Sequence, residues 1–333
     1  MAPDKKLVQR IFFAEEFDFS ATALELFRFQ YENNEAYGKY VDALGINPGD
    51  VNNMELIPFL PIRFFKTHKV TTTTFEPELV FESSGTTETI NSKHYVKEAS
   101  IYELSFMRGF QRFYGNPRDL CIIGLLPSYL DRQNSSLVYM VDRLVKESNH
   151  PLSGFYLNEF DELAAIVKKL EDESQNTLLI GVTFALLDFA ALYPMPLRNT
   201  IIMETGGMKG RRKEMVRQEV HGVLKAAFDT HTIHSEYGMT ELLSQAYSKG
   251  NGIFESPPWM KILMRDEEDP LTIKKDGGSE GIRGVINVID LANIYSCSFI
   301  ATDDLGVAYK DESFEVRGRM DNSDLRGCSL LVV

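Results

Sequence analysis

The stretch CIIGLLP, residues 121–127, is the longest apolar run of the 333-residue chain. A run this short and this uniformly apolar is typical of a β-strand that is buried on both faces. Similar short runs occur at 177–183, 199–203 and 230–234. Longer segments with helical spacing lie among them, at 98–113, 135–147, 159–173 and 210–228. This alternation predicts an α/β fold whose mainly parallel sheet is covered by helices.

The two ends of the chain differ from this central pattern. Residues 8–46 carry apolar and aromatic side chains at mostly helical spacing and are predicted to form helices. After residue 250, short strand-like segments are separated by Gly, Asp and Pro; they lie at 259–264, 284–291, 299–302 and 314–316. We therefore expect an α/β core over 1–250, a smaller β-rich subdomain over 251–318, and a C-terminal tail over 319–333.

The overall charge bears on the kind of ligand that the protein binds. Acidic residues outnumber basic ones by 48 to 35, which gives a formal net charge of −13. Such a balance argues against a nucleic-acid-binding protein, although a small nucleotide needs only one local pocket. No run is long enough to span a membrane, and the N-terminus has no signal-peptide apolar core. The three cysteines have no metal-site spacing, so we expect a reduced, cytoplasmic protein without zinc.

A hydroxyl-rich loop follows one predicted strand. Its sequence is FESSGTTE, residues 81–88, and Lys93 and His94 come shortly afterwards. Backbone N–H groups and hydroxyls in such a loop can surround a polyphosphate, although the spacing of a Walker P-loop is absent. By composition alone, a polar surface turn is the favoured interpretation of this segment.

Two further segments carry polar groups next to strands. In SEYGMTE, residues 235–241, a tyrosine offers a flat face to a purine, Gly238 permits close approach of a ligand, and Thr240 and Glu241 suit a phosphate and its Mg²⁺. The alternative is the start of a helix. In ATDDLG, residues 301–306, a carboxylate can accept both ribose hydroxyls, and the alternative is a hairpin turn.

The order of these segments, followed by Gly318-Arg319, resembles that of the adenylate-forming superfamily of acyl-CoA synthetases, peptide-synthetase adenylation domains and luciferases. The resemblance implies ATP as cosubstrate and Mg²⁺ as its cation. It implies phosphate contacts from the loop and Thr240, Mg²⁺ binding by Glu241, and ribose contacts from Asp304 and Arg319. It implies an adenine pocket beside Tyr237. The ATP-binding residues carried over are Ser84, Gly85, Thr86, Thr87, Gly206, Gly207, Tyr237, Gly238, Asp304 and Arg319.

A narrower resemblance covers nearly the whole chain. The segments FESSGTT (81–87), LLPSYLDRQNSSL (125–137), GGMKGR (206–211) and LRGCSL (325–330) resemble acyl-protein synthetases of the LuxE type. In that family a fatty acid is activated with ATP, and the acyl group then moves to a cysteine near the C-terminus and on to a partner reductase. Here that cysteine is Cys328, whose thiolate is an intrinsically strong nucleophile. Cys121 and Cys297 lie in apolar runs and are predicted to be core residues.

The sequence also departs from the superfamily pattern. Glu88 stands where most members have a glycine, and the usual C-terminal domain with its catalytic lysine is expected to be missing. Lys209, Arg211 and Lys93 are candidates for the missing positive charge, with Lys209 first because it follows the glycine pair. His94 either orients the substrate carboxylate or closes the loop.

The resulting prediction is a ligase of the acid–thiol type that forms an acyl-adenylate and passes the acyl group to Cys328. Thr240, Lys209, His94 and Cys328 are its predicted catalytic residues. A fatty or other carboxylic acid is the expected substrate, and a reductase or carrier protein is the expected acceptor. The first alternative is a ligase that transfers the acyl group to coenzyme A or a carrier-protein thiol. The second is a nucleotide-binding regulator without catalytic activity.

Overall fold

The computed structural model describes residues 3–83, 90–126, 134–156, 159–206 and 215–320. Within these ranges the chain forms α-helices at Pro3–Phe13 (α1), Phe19–Asn33 (α2), Glu35–Ala43 (α3), Phe64–Thr67 (α4), Ala99–Tyr114 (α5), Ser136–Ser148 (α6), Phe160–Asp172 (α7), Thr183–Leu192 (α8) and Arg217–Phe228 (α9). The strands are Leu60–Pro61 (β1), Leu79–Glu82 (β2), Lys93–Val96 (β3), Cys121–Leu125 (β4), Gly154–Phe155 (β5), Thr177–Gly181 (β6), Thr200–Glu204 (β7), His234–Tyr237 (β8), Ala246–Ser248 (β9), Ile253–Phe254 (β10), Met260–Arg265 (β11), Ile282–Asp290 (β12), Phe299–Ala308 (β13) and Phe314–Arg319 (β14).

The chain folds into two compact units made of interleaved segments. The first contains Met1–Phe106, Met239–Gln245 and Ser256–Val316, and the second contains Met107–Gly238, Ala246–Glu255 and Arg317–Val333. The predicted domains are continuous stretches of sequence that end at residues 250 and 318, whereas each unit is assembled from three separate segments. The predicted domain boundaries therefore stay a prediction.

The second unit contains the sheet that the apolar runs predict. Its strands lie in the order β5-β4-β6-β7-β8-β9; β5 to β8 are parallel, and β9 runs antiparallel to β8. Every residue of β4 and β6 is buried. Burying one such Leu or Ile side chain stabilises the fold by roughly 1.5–3 kcal/mol. The predicted α/β class is confirmed.

The first unit contains an antiparallel sheet in the order β14-β13-β12-β11, with β1 pairing in parallel with β13. Helix α2 buries Leu26 and Phe27, and Phe27 meets Phe299 of β13 edge to face. The β2–β3 pair flanks the hydroxyl-rich loop, and Ser83 N donates to Ser92 O at the base of that loop. The predicted helices at the N-terminus and the β-rich character after residue 250 are both observed.

Two predicted elements differ from the structure. The strand expected at 230–234 begins only at His234, because α9 ends in a left-handed residue, Asp229, and residues 231 and 232 are exposed. Helix α8 has no counterpart in the prediction. Seven of its ten residues are buried, so it lacks the polar face that gives a helix its amphipathic signature.

No helix in the described part of the chain has both the length and the apolar character needed to cross a membrane.

Candidate functional site

The Thr240-Glu241 motif lies in an irregular segment of the first unit that is buried from Glu241 onwards. Residues 238–245 form neither helix nor strand, so the helix-start alternative for this motif is wrong. Glu241, Leu242 and Ser244 are each at most 1% exposed. Backbone N–H and C=O groups in a buried irregular segment require partners from elsewhere.

Side chains from other elements supply those partners. His94 Nδ1 lies 2.8 Å from Thr240 O, and Asn293 Nδ2 donates to Glu241 O at 2.9 Å. Asp290 Oδ2 accepts from the N–H groups of Leu243 and Ser244 at 2.8 and 3.0 Å. The backbone that carries both candidate residues is therefore fixed by buried polar side chains.

His94 is buried in β3 and is neutral at physiological pH. Burial lowers the pKa of His94 to about 4, and its hydrogen bond to Thr240 opposes that change. A carbonyl oxygen can only accept, so Nδ1 carries the proton and Nε2 is an acceptor. Nε2 has no hydrogen-bond partner among the described residues. A neutral ring in this tautomer has no proton at Nε2 to donate, and its Nδ1 is bonded to the backbone of Thr240. Both predicted roles of His94 stay predictions.

Asp304 lies within a bulge of β13 and not in a turn. Val285 and Asn287 of β12 pair with Leu305 and Ala301, so residues 302–304 of β13 stand opposite Ile286 alone. Thr302 Oγ1 stabilises this bulge by donating to Ile286 O at 2.7 Å and accepting from Asp304 N at 3.1 Å. The hairpin-turn alternative is therefore wrong, and β13 continues to Ala308.

Arg265, which the sequence reasoning missed, holds the other side of this bulge. Its Nη2 donates to Thr302 O at 2.6 Å, and its Nη1 donates to Ile286 O at 3.2 Å and to Asn287 Oδ1 at 2.9 Å. Burial lowers the pKa of Arg265, and the nearby carboxylates of Asp303 and Asp304 oppose that change. The sequence signal for this role was an arginine directly after the strand-like segment 259–264.

The second unit carries the predicted adenine residues. Tyr237 ends β8 and is 8% exposed, and its ring lies 5.9 Å from that of Phe254. Gly238, the next residue, is exposed. Gly206 has a φ of 73°, which only glycine adopts readily, and its N–H donates to Glu204 Oε2 at 2.8 Å.

Glu204, at the end of β7, organises the residues around Gly206. Its carboxylate accepts from Thr183 Oγ1 at 3.2 Å and from Arg217 Nε at 3.3 Å, and His221 Nε2 lies 3.7 Å away. Burial raises the pKa of Glu204, but the nearby His221 and the charge of Arg217 outweigh it and lower the pKa to about 2. The sequence reasoning missed this group, because a Glu at the end of an apolar run also fits a strand terminus.

The remaining predicted residues divide into two sets. Arg319 ends β14, and Lys93 is half-exposed with its Nζ 3.3 Å from Glu82 Oε1. The others lie outside the described residues; they are Ser84, Gly85, Thr86, Thr87, Gly207, Lys209, Arg211 and Cys328. His94, Thr240, Glu241 and Asp304 belong to the first unit, and Gly206, Tyr237, Gly238 and Arg319 belong to the second.

Cys121 and Cys297 are buried, as predicted for core residues. Burial raises the pKa of the Cys121 thiol, and it raises that of Cys297 to about 12. Neither thiol is therefore a good nucleophile at neutral pH.

Within the described ranges, no group of three or more His, Cys, Asp or Glu side chains is arranged to bind a metal ion.

Comparison with known proteins places the chain in a family. The family model described as "Acyl-protein synthetase, LuxE" matches residues 14–333. Among curated proteins, no sequence matches the chain significantly.

Solved structures with the same fold include a 2-hydroxyisobutyryl-CoA ligase in the postadenylation state, in complex with R3-HIB-AMP. It has 11% identity and a TM-score of 0.63, and the match covers 96% of this chain and 68% of that one. ATP-bound MatB from Rhodopseudomonas palustris has 16% identity and a TM-score of 0.52, with 74% and 49% covered. An ATP-bound RpMatB-BxBclM chimera has 16% identity and a TM-score of 0.53, with the same coverage.

The chain spans about half the length of the last two proteins, 49% in each case. At these identities the likeness shows a shared fold, that of adenylate-forming ligases, with its parallel sheet and antiparallel β-subdomain. The family match extends over nearly the whole sequence. Both agree with the family resemblance predicted from the motifs, and this chain belongs to the LuxE-type acyl-protein synthetases, a family of ligases.

Proposed function

We propose that this protein uses ATP to convert a carboxylic acid into its acyl-adenylate and then transfers the acyl group to Cys328. Membership of the LuxE-type acyl-protein synthetases carries this proposal. The Thr240-Glu241 segment, whose backbone is held by His94, Asn293 and Asp290, supports it. A long-chain fatty acid as substrate and a reductase as final acceptor follow from the family resemblance.

In the first step, an oxygen of the substrate carboxylate attacks the α-phosphorus of ATP. The bond between the α-phosphorus and the bridging oxygen breaks, and pyrophosphate leaves. Negative charge grows on the equatorial phosphate oxygens, where each preorganised donor is worth roughly 3–4 kcal/mol. Thr240 and the hydroxyls of residues 84–87 are assigned as donors. Lys209 is assigned the positive charge.

Other residues bind the nucleotide in this proposal. The carboxylate of Asp304 accepts the ribose hydroxyls, with Arg319 as a second contact, and Tyr237 lies against the adenine with Gly206, Gly207 and Gly238. Glu241 is assigned to Mg²⁺, which neutralises phosphate charge when it is bound. The donor chemistry fits, because Mg²⁺ prefers hard oxygen ligands such as a carboxylate. One carboxylate suffices when phosphate oxygens and water complete the shell.

In the second step, the Cys328 thiolate attacks the carbonyl carbon of the acyl-adenylate. AMP leaves with the electron pair of the broken acyl–phosphate bond, and a thioester remains on the enzyme. A thiol of the partner reductase or carrier protein then attacks the thioester carbonyl, and the Cys328 thiolate leaves. A cytoplasmic location is part of this proposal, on the ground of the three cysteines without a disulfide framework.

The Cys328→Ser substitution tests the second step. We expect acid-dependent ATP–pyrophosphate exchange to persist, because adenylation does not use the thiol. The mass increase of one acyl group after incubation with ATP, Mg²⁺ and mixed fatty acids is expected to disappear. Intact-mass spectrometry measures both the attachment and the chain length.

Cys121→Ser is the matched control, because Ser153 Oγ lies 3.8 Å from Cys121 Sγ and can partner the new hydroxyl. It is expected to keep the acyl adduct. An adduct that survives Cys328→Ser contradicts the internal thioester. No exchange by the wild-type protein with a broad panel of acids would favour the non-catalytic regulator.

A further inference from the structure

A single buried carboxylate, outside the motifs, holds the segment that carries Thr240 and Glu241. Asp290 is the last residue of β12, and its side chain is fully buried at 0% exposure. Four donors surround it. Leu243 N and Ser244 N donate to Oδ2 at 2.8 and 3.0 Å, and Ser244 Oγ and Ala292 N donate to Oδ1 at 2.6 and 3.1 Å.

Residues 240–244 form neither helix nor strand, and these hydrogen bonds hold their backbone in place. Two consecutive backbone N–H groups point at one carboxylate oxygen, an arrangement that fixes the peptide between Leu243 and Ser244 in a single orientation. Asn293, three residues after Asp290, donates to Glu241 O. Thr240 O is bonded to His94. Every backbone contact just described comes from a side chain of another part of the first unit.

The residues next to the Asp290 carboxylate are themselves fixed by further hydrogen bonds. Ser244 Oγ lies 3.0 Å from Ser105 Oγ, which accepts from Trp259 Nε1 at 3.0 Å. Asn293 O accepts from Gln30 Nε2 of α2 at 2.8 Å. Side chains of α2, α5 and the residue preceding β11 thereby restrict how far Asp290 and its neighbours can move.

A carboxylate at this buried position costs desolvation free energy, which a neutral residue would not. Burial raises the pKa of Asp290 to about 6, although the bonds from Ser244, Leu243 and Ala292 favour the carboxylate and oppose that change. An apolar residue would not carry this desolvation cost, but it would leave two adjacent N–H groups without acceptors.

We propose that Asp290 is a positioning residue for adenylation, acting through the Leu243-Ser244 backbone to hold Thr240 and Glu241 where phosphate and Mg²⁺ bind. This inference rests on the proposed function, because the roles of Thr240 and Glu241 come from it. Asp290 does not contact the nucleotide. Its removal displaces the groups that do, and a small misplacement of reacting groups is enough to lower a rate by about 10²-fold.

The Asp290→Asn substitution tests this inference, because it keeps the size of the side chain and leaves two of the four donors facing an NH₂ group. We expect the Mg²⁺ concentration for half-maximal ATP–pyrophosphate exchange to rise at least about tenfold. We expect kcat to fall by roughly 10²-fold, and KM for the acid to stay within about threefold. Amide hydrogen exchange of residues 239–245 is expected to accelerate.

Ile289→Val is the control, since it trims the preceding buried residue of β12 and removes no hydrogen bond. It is expected to lower stability slightly without changing the Mg²⁺ requirement. Asn293→Ala, which removes only the donor to Glu241 O, is expected to raise the Mg²⁺ requirement in the same direction and serves if Asp290→Asn does not fold.

Two negative results have different meanings. A wild-type protein without exchange activity contradicts the proposed function, and amide exchange at 239–245 in the two variants still decides whether Asp290 and Asn293 hold the segment. An active wild type whose Asp290→Asn and Asn293→Ala variants keep the same Mg²⁺ requirement and the same amide protection overturns the inference. Lower thermal stability with unchanged kcat and Mg²⁺ requirement overturns it as well, because that is the result of a purely structural role.

Discussion

Glu204 and Glu236 illustrate how local partners decide the state of a carboxyl group. They lie on the neighbouring strands β7 and β8. Glu204 accepts hydrogen bonds from several groups and pairs with Arg217, so its pKa is lowered to about 2. No side-chain hydrogen bond from a described residue reaches Glu236. Burial and the charge of Glu204 raise the pKa of Glu236 to about 8.

This difference predicts how stability depends on pH. The folded protein keeps the Glu236 proton between pH 4.5 and about 8, where the unfolded chain has lost it, so the free energy of unfolding of the wild type falls as pH rises through that window. Glu236→Gln removes this dependence. The variant is expected to gain stability over the wild type by roughly 2–4 kcal/mol at pH 9, and by little at pH 4.5.

Urea unfolding of both proteins at several pH values measures the effect. Glu15→Gln, at an exposed glutamate, is the control and is expected to give a difference that does not grow with pH. A Glu236→Gln difference that stays constant from pH 4.5 to 9 would show that the carboxyl group is ionised in the folded state.

At the scale of elements, the bulge in β13 sets the local backbone around Asp304, the residue that we propose for the ribose. Residues 302–304 stand opposite one residue of β12, and Thr302 Oγ1 bonds both to Ile286 O and to Asp304 N. Bulges redirect side chains and occur frequently beside functional sites. The register shift thus sets the direction of Asp304, which we assign to the ribose.

Thr302→Val tests the role of the bulge. Valine keeps the shape but not the hydroxyl, so Ile286 O and Asp304 N each lose a partner. We expect a loss of about 1–3 kcal/mol in the free energy of unfolding and a KM for ATP raised about tenfold, with KM for the acid unchanged.

Thr177→Val is the control. Thr177 begins β6 of the second unit, and its Oγ1 donates to Gln175 O at 3.0 Å. It is expected to lower stability without changing KM for ATP. If both variants leave KM for ATP unchanged, the Thr302 hydroxyl does not position Asp304.

At the scale of the whole molecule, the family match extends over residues 14–333 and both compact units are built from segments distant in sequence. A ligand that binds only the folded chain stabilises it by mass action, by about 2.7 kcal/mol when its concentration is 100 times its Kd.

We therefore expect Mg²⁺-ATP to raise the melting temperature of the protein in a concentration-dependent manner. Asp304→Asn is expected to weaken the effect, since an amide has one acceptor oxygen where the carboxylate has two. Differential scanning fluorimetry with an ATP titration measures it, and GTP is the control nucleotide. A melting temperature that does not change at millimolar ATP would argue against a nucleotide site in this chain.

Much of the fold was predictable because it depends on local patterns. The buried strands β4, β6 and β7 are short apolar runs, and α5, α6 and α7 have an apolar stripe at helical spacing. Helix α8 was not predictable in this way, since it is buried nearly all round and its sequence lacks that stripe. Burial of a whole helix depends on what packs around it.

The candidate site also has features that the sequence predicts and features that only folding creates. Motif order and the family resemblance selected Thr240, Glu241, Tyr237 and Asp304 as candidates, because hydroxyls, carboxylates and aromatic rings are recognisable in the sequence itself. Their assigned roles stay predictions. The bond from His94 to Thr240 joins residues 146 positions apart in the sequence, and the bond from Ser244 to Asp290 joins residues 46 positions apart. A tautomer, a neutral buried histidine or a carboxylate with four donors is created by the groups that folding brings around it. No local pattern of residues encodes those distances.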